Sequence, residues 1–287
     1  MNSISGILIT LLSAISYGTL GIFGKLAYAQ GLSVTTLLFF RFAFTGLFLM
    51  AVVLIRRIPL PRGKTLLVLI LMGAVGFSGQ AFAYLSALKY ANAGVVAILL
   101  SLYPAFVSIL TMFVLRKRVS HIAVVGIVVS FIGTVLIADP NGGGNPLGFI
   151  LGVSAALIYS TYILVGSRVM HTVGATESTA VIFCSSALVF FFLWRNEGAP
   201  LPPTPTAWWV IGGMVLIPTI IASVTFLEGL KRVGAVNASI ISTIEPLVTV
   251  WLAYLIFGET LGWKAVLGGC LILGAVVIFT MTQKQNE

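Results

Sequence analysis

The chain has 287 residues, of which 59% are hydrophobic and 8% charged, against roughly 45–50% and about 25% in ordinary soluble domains. So apolar a chain cannot cover a globule with polar surface; with a mean hydropathy of +1.12, it reads as a polytopic membrane protein. The net charge of +9 would suit nucleic acid, but its distribution excludes that partner, because the positive residues sit in short connections between apolar runs.

A hydrocarbon core about 30 Å thick takes roughly 20 apolar residues per helical crossing. Ten such runs follow in chain order: 5–29, 33–55, 65–88, 92–115, 120–138, 146–169, 174–194, 206–230, 235–257 and 262–282. No period-two alternation of a membrane barrel is present, so helices are the spanning form. The first run is too long for a signal peptide and lacks a basic leader, so it is read as a retained helix.

With the N-terminus in the cytoplasm, Arg56, Arg57, Arg62, Lys64, Arg116, Lys117, Arg118, Arg168, Lys231, Arg232 and Lys284 fall inside. Only Lys25, Lys89, Arg195 and Lys264 fall near the outer face. This positive-inside bias predicts a multi-pass protein of the cell (inner) membrane with both termini cytoplasmic. Trp194, Trp208, Trp209 and Trp263 are expected at the outer interface as an aromatic belt.

A shift of 142 residues aligns the chain with itself without gaps. Tyr17, Thr19 and Gly24 meet Tyr159, Thr161 and Gly166; Leu85, Leu88 and Lys89 meet Leu227, Leu230 and Lys231. Ala93, Ile98, Pro104, Leu110 and Gly126 meet Ala235, Ile240, Pro246, Leu252 and Gly268. Two five-helix halves follow, 1–139 and 146–287. Because five is odd, the second half enters the membrane from the opposite side. The expected fold is all-α, with ten transmembrane helices as two inverted repeats around a central cavity, the architecture of secondary transporters.

Two stretches, "ALKYANAGVVAILLSLYPAFVSILTMFV" (87–114) and "GLKRVGAVNASIISTIEPLVTVWLAYLIFGE" (229–259), resemble the EamA-type drug/metabolite transporter superfamily. Within it the chain is similar to amino-acid exporters of the YddG type. The resemblance implies a helix basket around a cavity, no cofactor, export of small metabolites, and two EamA repeats in the halves above. It also implies Glu245 and Pro246 as a motif pair, with Glu259 as the motif glutamate that follows. The first half departs from the pattern: Lys117, between Arg116 and Arg118, stands at the repeat equivalent of Glu259.

The polar residues inside the runs nominate the site. Ser239, Ser242, Glu245 and Thr249 share one face of the ninth run, and Ile240, Ile244, Leu247 and Trp251 another. The first face is expected to line the cavity and the second to meet lipid or a neighbouring helix. Pro246 leaves the Ser242 carbonyl without its donor, and Pro104 does the same to Leu100, so both are expected hinges. Tyr17, Gln80, Tyr84, Ser101, Tyr103, Tyr159, Tyr162, Thr225, Ser242 and Glu245 complete the expected cavity wall, drawn from runs one, three, four, six, eight and nine.

Against these stands the plain membrane reading, in which Ser and Thr bond back to their own helix and Gly73, Gly76 and Gly79 are packing notches. Glu245 lies near mid-membrane, where an ionised side chain costs about 2.5–3.5 kcal/mol and marks function by default. Arg41 is the other deep charge, read first as a structural ion pair or carbonyl clamp and second as a substrate contact. Glu228 is expected to pair locally with Lys231 or Arg232.

Cys184 and Cys270 lie in apolar runs, and His121 and His171 are isolated at run ends, so no disulfide framework or metal site is expected. No HExxH, GxSxG or paired-carboxylate motif supports an enzyme, and no phosphate loop supports ATP-driven pumping. The expected partners are the bilayer and a small-molecule substrate, an amino acid or similar metabolite, handled by a monomer. A nucleotide-sugar or phosphorylated-sugar exchanger, another metabolite or drug exporter, and a membrane scaffold or channel remain the alternatives.

Overall fold

The computed structural model describes residues 3–115, 121–137, 145–169, 173–233, 238 and 241–284. It is all-helical, as a chain buried in hydrocarbon must be to satisfy its backbone within each segment. Six helical stretches are long and apolar enough to cross a membrane: Ile4–Ala29, Val34–Ile55, Gly63–Ala87, Pro146–Gly166, Ala175–Asn196 and Pro205–Phe226. Four shorter apolar helices join them at Ala93–Val107, Val125–Leu136, Ile244–Phe257 and Trp263–Ile278. The protein is a multi-pass membrane protein.

Several stretches are broken where the sequence suggested continuity. The first divides at Thr19 into α1 (Ser3–Gly18) and α2 (Leu20–Ala29), with the Thr19 hydroxyl bonding the Ser16 carbonyl at 2.6 Å. After α3 (Val34–Ile55), the next stretch is α4 (Gly63–Leu71), a wide π-turn at Met72–Phe77, and α5 (Ser78–Ala87). The fourth divides at Ser101 and Leu102 into α6 (Ala93–Leu100) and α7 (Tyr103–Leu115). Then come α8 (His121–Ile137), α9 (Pro146–Val169) and α10 (Ala175–Asn196). A second π-turn, Leu216–Ile221, separates α11 (Pro205–Val215) from α12 (Ala222–Val233). The chain closes with α13 (Ile244–Phe257) and α14 (Trp263–Lys284).

The expected proline kinks therefore take a different form. Pro104 is the second residue of α7 and Pro246 the third of α13, each just after a break at Ser101–Leu102 or Thr243. A first-turn proline needs no amide donor, and its ring crowds the carbonyl four residues earlier, so the helix breaks in the turn ahead of it. The π-turns free extra carbonyls, and nearby hydroxyls take them up. The Gly73 carbonyl accepts from Ser78 at 2.8 Å and Ser186 at 2.9 Å, and the Met214 carbonyl accepts from Thr219 at 2.8 Å.

Helix association follows small residues and hydroxyls, since lipid offers no hydrophobic drive between helices. α1 lies on α12, where Ser13 bonds the Ala222 carbonyl at 2.7 Å and Gly229 faces Thr10. α3 packs on α10, α8 on α14, α6 on α13, α5 and α7 on α9, and α1 also on α13. At the last contact the backbones touch: a β-carbon on Gly18 would stand 2.8 Å from the Glu245 carbonyl oxygen. Gly73 is likewise a notch, filled by Ser185 and the Ile182 carbonyl of α10, whereas Gly79 meets its neighbour only at 3.7 Å.

Ser33 caps α3 by accepting from the Thr36 amide at 3.1 Å, and Thr204 caps α11 by accepting from Ala207 at 3.1 Å. Gly258 ends α13 with φ +66°, a left-handed cap that favours glycine. Trp209 and Trp263 are well exposed, as a belt requires. Trp194, near the end of α10, stacks on Phe39 at 5.2 Å within an aromatic group that includes Phe40 and Phe191.

Candidate functional site: a tyrosine-lined carboxylate

Glu245 sits in the first turn of α13, twelve residues before Phe257, or about 18 Å along the helix from its far end at about 1.5 Å per residue. Four phenols from four separate elements lie within its electrostatic range: Tyr17 of α1, Tyr84 of α5, Tyr103 of α7 and Tyr159 of α9. Glu245 itself is half-buried. Neither carboxylate oxygen of Glu245 has a hydrogen-bond or ion-pair partner among the described residues.

The expected faces of this helix hold where they are described. Leu247 and Trp251 are 55% and 61% exposed on the outside. Thr249 is buried and donates to the Gly18 carbonyl at 2.8 Å and the Glu245 carbonyl at 3.2 Å. Ser242 is half-buried just before the Thr243 break. Ser239 and Ile240 lie outside the described residues, as do Arg116, Lys117, Arg118 and His171.

The tyrosines form a connected wall. Tyr103 meets Tyr159 edge-on at 5.2 Å, Tyr159 stacks on Tyr162 at 5.9 Å, and Tyr162 lies 5.7 Å from Phe77 at the first π-turn. Tyr17 shares a hydrogen bond of 3.0 Å with Ser223 of α12. Tyr84 is buried, its hydroxyl 3.2 Å from where a β-carbon on Gly21 would lie. Gln80, one turn before it, is only 8% exposed. Its amide makes no hydrogen bond among the described residues.

Two nominated hydroxyls behave otherwise. Ser101 donates to the Ala97 carbonyl at 3.1 Å, and Thr225 to the Ile221 carbonyl at 2.6 Å. Both are spent on their own helices, the plain membrane behaviour of such residues. They stabilise the backbone beside a break or π-turn and offer a substrate little.

Arg41 of α3, read first as a structural ion pair or carbonyl clamp and second as a substrate contact, is buried beside Thr219 and Phe42. The side chain is 5% exposed, its Nε donates to Thr219 at 3.2 Å, and its guanidinium lies 5.5 Å from the Phe42 ring centroid. Electrostatically it acts on Tyr17 and Tyr84, the phenols that Glu245 also reaches. No ion pair engages it among the described residues, so the expected structural ion pair is not what holds it. Its depth alone signalled its importance; its helix face did not reveal which neighbours it meets.

The central rings pack against each other, and a wide cavity lies instead at one end of the bundle. This vestibule, of about 730 Å³, is lined by Lys25, Tyr28, Ser33, Lys89, Phe257 and Glu259 among others. Lys25 and Glu259 form an ion pair there, and the other Glu259 oxygen accepts from the Ala93 amide at 2.8 Å. Lys89 lies 5.3 Å from the Tyr28 ring centroid. Successive turns of the first stretch lead inward from this vestibule: Gly24 against Leu85 and Leu88, Gly21 against Tyr84, then Gly18 against Glu245. At α12's far end, Glu228 pairs with Arg232 at 2.8 Å, as expected, and Arg232 also reaches Ser5 at 3.2 Å.

A transporter of Clostridium kluyveri, named uncharacterized, is 24% identical over 98% of this chain and 95% of its own length. Another so named, from Archaeoglobus fulgidus, is 28% identical over 93% of each chain. The uncharacterized inner membrane transporter YicL of Salmonella typhimurium is 23% identical over 98% of this chain and 97% of its own. A solved crystal structure shares the fold, with a TM-score of 0.68 and 21% identity over 99% of both chains. The EamA-like transporter family model matches residues 4–138 and again 146–281. With nearly the whole sequence covered by those two matches, the chain belongs to the EamA-like transporter family, and it is a membrane transporter.

Proposed function

We propose that this transporter is a secondary exporter of small metabolites, with aromatic and other neutral amino acids as its substrates, working by alternating access. The observation that carries the reading is the unpaired, half-buried Glu245 carboxylate, with Tyr17, Tyr84, Tyr103 and Tyr159 within its electrostatic range. A deep carboxylate suits an ammonium group, and flat aromatic walls accept varied side chains by stacking and cation–π contact.

The exchange of two inverted halves supplies the motion. Support comes from the packing: exchanging the halves turns the contact of α1 with α12 into that of α9 with α5, and α1 with α13 into α9 with α7. The pairs α3 with α10 and α8 with α14 map onto themselves. Breaks at Ser101 and Thr243 are 142 residues apart and serve as flex points, with Pro104 and Pro246 starting each moving segment. Both termini face the cytoplasm of an inner-membrane protein, so the Lys25 vestibule opens outward. A monomer suffices, and no cofactor takes part.

Purified protein in liposomes, given labelled amino acids with and without an imposed proton gradient, tests this. Counterflow of phenylalanine or tryptophan is expected. Flux of a phosphorylated metabolite with none of any amino acid sinks the substrate assignment. A Glu245→Gln variant that transports like the parent at every pH removes the role given to that residue.

A further inference from the structure

The two deep charges of this chain do not neutralise each other. Ion pairs among the described residues join Lys25 to Glu259 and Arg232 to Glu228, and neither involves Arg41 or Glu245. Both instead lie against the segment that carries Tyr17: Arg41 bonds Thr219, one turn before the Ser223 that shares a hydrogen bond with Tyr17, and the Glu245 backbone meets Gly18, one turn from the Gly21 beside the Tyr84 hydroxyl. The Arg41 guanidinium spends Nε on Thr219. Its planar fork has further donors on the two terminal nitrogens, and these have no hydrogen-bond partner among the described residues.

Spacing sets what fits between them. Arg41 is seven residues inside α3 from Val34, and Glu245 twelve residues inside α13 from Phe257. Both helix ends belong at the vestibule, whose lining includes Ser33 and Phe257. At about 1.5 Å per residue the two charges differ in depth by about 7–8 Å. A bridging molecule with a charged hydrogen bond of about 2.8 Å at each end and a body about one residue long, roughly 3.5 Å, reaches about 9 Å, enough to cover that difference in depth.

We propose that Arg41 and Glu245 form a two-point clamp for a zwitterion: Arg41 takes the carboxylate of an α-amino acid, Glu245 takes its ammonium, and Tyr17 and Tyr84 flank the bridge. A simple anion would leave the half-buried Glu245 carboxylate unpaired, and a simple cation would leave the buried Arg41 so. Only a molecule carrying both charges relieves both costs. The shift of 142 residues supports the assignment, because the counterparts of Arg41 and Glu245 are Phe183 and Tyr103. Each half thus adds one charge where the other has an aromatic ring. Selection acts on the substrate's backbone, while the Tyr103–Tyr159–Tyr162 wall receives its side chain.

The proposal rests on the transport reading above, and one experiment separates the two. Full-length protein in proteoliposomes is preloaded with phenylalanine, and labelled phenylalanine uptake is competed with phenylalanine, phenethylamine or hydrocinnamate. These share one side chain and differ only in the charged ends. Expected is at least tenfold weaker competition by phenethylamine and by hydrocinnamate than by phenylalanine. Arg41→Gln should weaken phenylalanine at least tenfold and erase its advantage over phenethylamine; Glu245→Gln should erase its advantage over hydrocinnamate.

Because Arg41 also braces Thr219, Arg41→Lys and size-exclusion profiles accompany these variants, and the parent protein's preference stands as a test needing no variant. A parent protein that accepts phenethylamine or hydrocinnamate as well as phenylalanine overturns the clamp and leaves transport intact. So does a folded Arg41→Gln variant with an unchanged preference. Absence of amino-acid exchange by the parent overturns the clamp together with the substrate assignment.

Discussion

Lys25 and Glu259 hold each other across the vestibule, and Glu259 simultaneously caps the start of α6 through the Ala93 amide at 2.8 Å. One carboxylate thereby ties three parts of the bundle together. Asn92, at the cap position of α6, makes no side-chain cap bond of its own, so the distant glutamate does that work. Glu259→Ala is expected to lower stability by about 1–3 kcal/mol, the cost of leaving a largely buried ammonium and an amide unpaired. Lys25→Met, which keeps the cap, should cost less. Thermal unfolding in detergent checks the order, and equal losses would mean that the cap contributes nothing.

Gly18 is where α1 and α13 touch, with a notional β-carbon 2.8 Å from both the Glu245 carbonyl and the Val248 side chain. Backbone cannot yield there as a flexible side chain could. Gly18→Ala should destabilise by about 1–3 kcal/mol, the usual cost of overpacking, and slow transport by displacing Glu245. Gly212→Ala is the control: nothing lies within 4 Å of its added methyl, so stability should hold or rise by up to about 1 kcal/mol. Similar losses in both variants would contradict the close contact.

At the opposite end of α12, the Arg232–Glu228 pair has both side chains roughly half exposed. Exposed pairs are worth little, and Glu228→Gln should cost no more than about 0.5 kcal/mol. A loss matching that of Glu259→Ala in the same unfolding assay would overturn this contrast between the two ion pairs.

The Gly73 carbonyl, freed by the π-turn, has two donors, Ser78 and Ser186. Ser186→Ala alone should therefore cost only about 0.6 kcal/mol, the average for such interhelical bonds in membranes. Removing both hydroxyls strands the carbonyl, so the double variant should lose more than the single losses combined. Strict additivity in unfolding measurements would show that each serine acts alone.

Much of the site was legible in the sequence because apolar surroundings make polar residues conspicuous. Glu245, Tyr17, Tyr84, Tyr103, Tyr159 and Tyr162 stood out in this way, and they do converge. Ser101 and Thr225 looked equally conspicuous, yet bond their own helices. A hydroxyl's choice between its own carbonyl and a cavity leaves no trace in spacing. Span two offered one charge on an otherwise uniform helix, so periodicity could not aim Arg41.

Hydropathy, charge bias and the shift of 142 residues are properties of short stretches or of order along the chain. They determined that this is a multi-pass helical membrane protein and which residues deserved suspicion. Tertiary structure alone decided that Lys25 meets Glu259, that Arg41 bonds Thr219 while Gly18 meets the Glu245 backbone, and that the chain breaks ahead of Pro104 and Pro246 rather than bending at them. Those facts depend on which helices pack and at what depth. Residues more than two hundred positions apart become neighbours only through the small-residue contacts, such as Gly18 on Glu245, that bring their backbones together.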